Sequence, residues 1–122
     1  PVYVYYGYGN VTVLFDSQRT EVRRAEIERA KEQVLVIFKA LGDGTRLDVL
    51  RLIARHAGEM HGKQIAAKLN LAASSVSRHL AQLRDAGLIE EQVHDDRTIT
   101  YRLRESEIQH LPEMLFDYLW NS

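Results

Sequence analysis

The sequence predicts a mainly α chain with a small β hairpin near its C-terminus and a β-rich segment at its N-terminus. Three observations carry this. Apolar residues recur every three or four positions through successive stretches between residues 18 and 85. The pattern then switches to alternation on both sides of the polar run His94-Asp95-Asp96-Arg97. The opening "VYVYYGYGNVTVLF", residues 2–15, is rich in Val and Tyr and is interrupted by Gly7, Gly9 and Asn10 as a turn would interrupt it.

The elements follow in order. Two short strands cannot stand alone in water, so residues 1–16 are expected to pair with an upstream domain or another copy of the chain. Pro1 in place of Met points the same way, to a fragment or a processed chain whose sensing part lies upstream. Residues 17–122 form the second unit. "QRTEVRRAEIERAKEQVLVIFKAL" is built of helix formers without Gly or Pro. Its stripe is Val22, Ile27, Ala30, Val34, Phe38 and Leu41, and "VLVIF" at 34–38 is apolar all round, so it should be enclosed on every side. Gly42 stops it as a C′ residue can. The region of Asp43 and Gly44 restarts the chain. "TRLDVLRLIARH" then makes a second helix with Leu47, Leu50 and Ile53 inward, closed by Gly58. "GKQIAAKL" is a short third helix with Ile65, Ala66 and Leu69 inward, and "NLA" is a tight connection.

A fourth helix covers about Ala73 to Asp85, stopped by Gly87. Leu88–Val93 and Thr98–Leu103 are the hairpin strands. In "SEIQHLPEMLFDYLW", Ser106 and Gln109 have the spacing of a capping box, and Leu111, Leu115, Tyr118 and Leu119 form a stripe. Pro112 requires either a helix that starts near Leu111 or a kink.

Composition narrows the function. The chain has no cysteine, so disulfides, thiolate metal sites and a cysteine nucleophile are excluded, which fits a reducing cytoplasm. A net charge of −1 argues against indiscriminate polyanion binding but permits a local basic face. No apolar run approaches a membrane span, and no Gly-rich phosphate loop, His-Glu-x-x-His or Gly-x-Ser-x-Gly motif is present, so an enzyme is not expected.

Helix, helix, short helix, tight turn, helix and hairpin is the element order of a winged helix-turn-helix. An α-helix fits the major groove of B-DNA, its N-terminal residues reach base edges, and the preceding helix braces it. With Val76, Leu80 and Leu83 turned to the core, the fourth helix presents Ser74, Arg78 and Ala81, with Ser75 and Ser77 on its flanks. Small hydroxyls allow close approach, and Arg78 has the reach and the planar fork to read a guanine edge. Free N–H groups at the helix start favour a phosphate. The candidate duplex-DNA contacts are Ser74, Ser75, Ser77, Arg78 and His79, with Lys63 and Gln64 on the bracing helix and Arg97 and Thr98 on the wing. Of these, His79 lies at the core edge, where a structural hydrogen bond competes with base contact. Ser74 as a simple helix cap is the plain alternative to a DNA contact. A winged helix used only for protein contact is the rival to DNA binding as a function.

The runs "KALGDGTRLDVLRLI", "IAAKLNLAASSVSRHLAQLRDAGLI" and "YRL", spread over residues 38–103, resemble the arsenic-repressor (ArsR-type) family of winged-helix regulators. The resemblance implies a homodimeric transcriptional repressor that changes its grip on an operator when an effector binds. It implies a dimer interface on the first and last helices, here Val34, Phe38, Leu111, Leu115, Tyr118 and Leu119. Ser74, Ser75, Ser77 and Arg78 match the family's recognition-helix positions. Where many members carry Cys-x-Cys, this chain has His61 and Lys63, so no thiophilic site and no resident cofactor is expected. His110-x-x-Glu113 matches half of a second family metal pattern whose Asp-x-His partner is missing, so no metal is assigned. Ala72 stands where the family often has Ser, so the usual cap of the recognition helix is absent or shifted to a neighbour.

Overall fold

The computed structural model describes the backbone of residues 9–121 and side chains from Arg19 onward. Among the described residues, six helices and one hairpin follow in the order α1 (Gly9–Leu41), α2 (Gly44–Arg55), α3 (Gly62–Leu69), α4 (Ala73–Asp85), β1 (Ile89–Val93), β2 (Ile99–Leu103), α5 (Glu105–Gln109) and α6 (Leu111–Trp120). The architecture is a mainly helical winged helix-turn-helix. Residues 9–15 do not form the expected strand: they are the first turns of α1, a helix of 33 residues and roughly 50 Å. Extending an existing helix is far cheaper than starting a new element, and nothing after Gly9 blocks it. Residues 1–8 of the expected β segment lie outside the described residues.

The core is formed where α2, α3, α4 and the hairpin meet. Val49, Ile53, Ile65, Val76, Leu83, Leu88 and Ile89 are all under 2% exposed. On α4 the inward residues are Val76, Leu80 and Leu83, as the spacing requires. On α2 Ile53 and Leu50 pack inward as expected, but Leu47 does not. Val49 is fully buried and Leu47 is 47% exposed. The two positions differ by about 200° around a helix, so only one can face α4 and β2. The same reasoning corrects α1. Val34 and Ile37 are each 8% exposed, whereas Leu35, Val36 and Phe38 are 44%, 50% and 39% exposed, and Val22 is 59% exposed. The run 34–38 is therefore covered on one side by its own chain, and its other side is open.

Turn chemistry sets the angles between helices. Asp43 accepts the Arg46 N–H at 3.0 Å and caps α2. That bond, first, and the Arg46 guanidinium hold the Asp43 carboxyl below its ordinary range. Gly42 ends α1 without entering the left-handed region, which is occupied by Gly58 and Gly87 and by Ala57, Asn70 and Arg97. Asn70 closes α3 with its left-handed backbone, and Leu71 N–H reaches back to the Ala66 carbonyl at 2.9 Å, so α4 follows after a three-residue turn. Gly87 (φ +79°) closes α4 in the same way, with Leu88 N–H bonded to the Leu83 carbonyl at 3.0 Å.

A lone hairpin is marginal in water, and this one is pinned at its base. Leu88 and Ile89 are in the core, and Thr100 is buried. His61 forms a single antiparallel bridge with Thr100, and Tyr101 N–H bonds the Met60 carbonyl at 3.2 Å. Burial, first, pushes the Tyr101 hydroxyl pKa up. The Ser106–Gln109 capping box is not formed: α5 begins at Glu105, which places Ser106 inside the helix, and Arg104 at the cap makes no side-chain cap bond. At Pro112 the choice falls on a new helix, for α6 starts at Leu111 with the proline in its first turn, where no N–H is required.

Candidate nucleic-acid interface

The outer side of α4 is open. Ser74, Ser77 and Arg78 are exposed, and Ser75 is half-buried beside them. The Arg78 guanidinium reaches Ser75 Oγ at 3.5 Å, so arginine and hydroxyls share one patch. Ala72 is the N-cap residue and no side chain caps the helix. Ser74 is thus the second residue of α4 and not its cap. The first N–H groups of a helix have no acceptor within it, and here they sit beside the Ser74 and Ser75 hydroxyls with the positive end of the helix dipole. This combination suits a phosphate or a base edge.

His79 is different. It is half-buried, and its Nδ1 is fully buried with no hydrogen-bond partner among the described residues. The structural hydrogen bond expected for it is not made, and that side of the ring is turned away from the open face.

The bracing helix α3 offers Lys63 and Gln64, both exposed. The Gln64 side chain is engaged: its Oε1 accepts the His61 backbone N–H at 3.1 Å, which closes the start of α3. Lys63 and Arg97 make no ion pair among the described residues. Two other cations are already paired. Arg84 binds Glu91 at 2.6 Å and Asp85 at 3.3 Å, tying the end of α4 to the wing, and Arg104 lies 3.6 Å from Glu107. The Glu91 bond, first, raises the Arg84 pKa further.

Arg97 and Thr98 lie at the wing turn, where the His94 N–H bonds the Thr98 carbonyl at 2.9 Å. The Asp96 carboxylate accepts the Thr98 hydroxyl at 2.7 Å and its N–H at 3.1 Å. The Thr98 hydroxyl proton is therefore spent on Asp96, and Arg97, in left-handed backbone, is the exposed cation of the tip. No hydrogen bond or ion pair joins this tip to the outer face of α4 among the described residues; the two meet only through the wing base.

The Thr98 bonds, the hydroxyl first, hold the Asp96 carboxyl below its ordinary 3.8. A lowered folded value means this contribution is complete above the unfolded pKa and is lost as the pH falls through the folded one. The Thr98 amide resonance should therefore titrate with a midpoint below 3.8. Asp96→Asn, which keeps an acceptor oxygen but removes its charge, should abolish that titration and speed Thr98 amide exchange by about threefold or more, as expected for weakening a charge-assisted bond. A midpoint at or above 3.8 would contradict the turn geometry.

Arg46 and Gln82 were not legible as site residues. The Arg46 side chain is only 14% exposed. Its Nε donates to the Ala40 carbonyl at 2.7 Å, and its two terminal nitrogens donate to the Lys39 carbonyl at 2.9 Å and to Gln82 Oε1 on α4. The one hint in the sequence is its place three residues after the capping Asp43.

The expected interface residues divide by exposure. Val34 is already buried by its own chain. Leu111, Leu115 and Tyr118 are half-buried, while Phe38 and Leu119 are open. Phe116 and Trp120, 58% and 70% exposed, stand beside Leu119 with ring centres 6.3 Å apart. Between α1 and α6 runs a groove of about 600 Å³ whose walls include His110, Glu113, Met114 and Tyr118. His110 Nδ1 and Glu113 Oε2 are 3.1 Å apart and bonded to one another. Among the described residues no three ligating side chains converge on a point.

An uncapped, outward-facing helix braced by a tight turn and flanked by a pinned hairpin defines the class: a winged helix-turn-helix protein. Comparison with known proteins gives the family. The description "bacterial regulatory protein, arsR family" matches residues 43–91. Over 84 residues the chain is 31% identical to the HTH-type transcriptional regulator YgaV of Escherichia coli, covering 69% of this chain and 83% of that one. Over 89 residues it is 37% identical to the HTH-type transcriptional regulator KmtR of Mycobacterium tuberculosis, covering 73% of this chain and 64% of KmtR, so it spans less than two thirds of that relative. The homodimeric winged helix-turn-helix DNA-binding domain of Mb0332 from Mycobacterium bovis superposes with a TM-score of 0.57 at 30% identity, covering 69% of this chain and 75% of that one. The chain belongs to the ArsR family of bacterial regulatory proteins.

Proposed function

We propose that this chain is a sequence-specific duplex-DNA-binding transcriptional regulator. It acts in the cytoplasm as a homodimer joined through α1 and α6, and it has the repressor's role implied by the family resemblance. Its effector is a small molecule or an upstream sensing domain and is not held through cysteines, since the chain has none. The single observation that carries the reading is the open N-terminal half of α4, where Ser74, Ser77 and Arg78 are exposed and no side chain caps the first N–H groups. Groups of this kind match phosphate oxygens and guanine edges. None of the roles requires catalysis.

Selection of binding sites from random duplexes at low salt is the test. It should yield two half-sites about one helical turn apart, bound less tightly as salt rises. Failure to enrich any sequence would favour a protein-contact role. On the selected site Arg78→Ala should cost about 1–3 kcal/mol and relax base choice at one position of each half-site. Lys63→Ala should weaken all duplexes alike and reduce the salt slope by about one charge per contact. Equal losses for Arg78→Ala on selected and random duplexes would remove it from base reading.

A further inference from the structure

We propose that Arg46 and Gln82 form a strut that sets the tilt of the recognition helix α4 against the end of α1, and that operator affinity depends on it. The inference deepens the DNA-binding reading and rests on it for its affinity measurement. The geometry is specific. One guanidinium reaches three acceptors on two elements far apart in sequence: the Lys39 and Ala40 carbonyls in the last turn of α1 and the Gln82 amide oxygen on α4. The last carbonyls of a helix have no partner within it and carry the negative end of its dipole, so a cation there is doubly favoured. Asp43, 3.8 Å from the same guanidinium, and its bond to the Arg46 backbone keep the side chain at the junction.

The rigid fork of arginine matters. Its donors lie in one plane at fixed angles, so a carbonyl pair on one side determines where the remaining nitrogen points. Lysine would keep the charge and lose that relation. Gln82 lies one turn beyond Arg78 and two beyond Ser74 on α4. A shift of the Gln82 end of the helix therefore changes the angle at which those residues enter a groove. Because the other end of the strut is on α1, a displacement of α1 is passed to α4 without any contact at the DNA-facing residues. Gln82 itself is exposed, so removing its amide leaves the core intact.

The test is a double-mutant cycle on the full chain, with Gln82→Ala, Arg46→Lys and the pair. It is read by affinity for the selected duplex and, without DNA, by amide hydrogen exchange in α4 and at the end of α1. Gln82→Ala should weaken duplex binding about three- to tenfold while melting temperature and sedimentation stay unchanged, and in the Arg46→Lys background it should add less than about twofold, the signature of coupled residues. Exchange at the end of α4 should rise in both single variants, and Gln82→Glu, which keeps the acceptor, should restore protection. An equal loss in both backgrounds would make Gln82 a direct DNA contact and overturn the strut. Unchanged exchange in Gln82→Ala would overturn it as well. If the unaltered chain enriches no duplex, the DNA-binding reading fails by itself, and the exchange measurements still decide the strut.

Discussion

Leu83→Ala is expected to destabilise the protein by about 2–5 kcal/mol, a large part of the roughly 5–15 kcal/mol that holds a domain of this kind together. Leu83 is 0% exposed and sits on the inner face of α4, with Val76 and Leu80 in line. The helix packs on both α2 and α3 and hands the chain to the wing at Gly87. Close packing around a fully buried side chain lets the surroundings refill such a cavity only in part. Urea unfolding should show a lower midpoint with the slope unchanged. Leu47→Ala is the matched control. Leu47 was expected inside but is 47% exposed, so its loss should stay within about 0.5 kcal/mol. Similar losses at the two positions would mean that the face of α2 is wrongly placed.

Leu119→Asp should separate the proposed dimer and weaken binding to a two-half-site operator by about 10²–10⁴, the factor lost when paired modules act singly. Leu119 is 57% exposed within one chain, next to Phe116 and Trp120, and α1 adds Leu35, Val36 and Phe38. Apolar side chains this large and this numerous on two packed helices are what an interface would cover. A carboxylate introduced there would be desolvated without a partner, which interfaces do not tolerate. Because Leu119 contributes little to its own chain's core, folding should be preserved, unlike a change at the half-buried Leu115. Sedimentation equilibrium reads the assembly, and duplexes carrying one or two half-sites read the affinity. Loss confined to the two-half-site duplex is the expected result. A dimer that survives the substitution would take α6 out of the interface.

Much of this was readable before any coordinates. The inward set on α4, the short α3, the turn at Asn70 and the hairpin all follow from periods and breakers that act locally. Other features were not legible, because they depend on which neighbour each side of a helix meets. A helix with apolar residues on several sides, such as residues 34–38 of α1, does not declare which side its own chain will cover. Leu47 and Val49 are both plausible core residues until α4 and β2 are in place. The strut from Arg46 to Gln82 spans 36 positions, and no local spacing announces it.

The amino-acid order alone determined the winged helix-turn-helix plan and the hydroxyl-and-arginine start of α4, since hydrophobic period and glycine stops act over a few residues at a time. Only the tertiary structure decided that Ser74 is not a cap, that His79 turns a nitrogen inward, that Arg84 and Arg104 are already paired, and that Arg46 joins α1 to α4. The link through Arg46 depends on the distance between segments remote in the chain, which close packing of the core sets; the other outcomes turn on backbone and side-chain geometry that residue type alone does not fix.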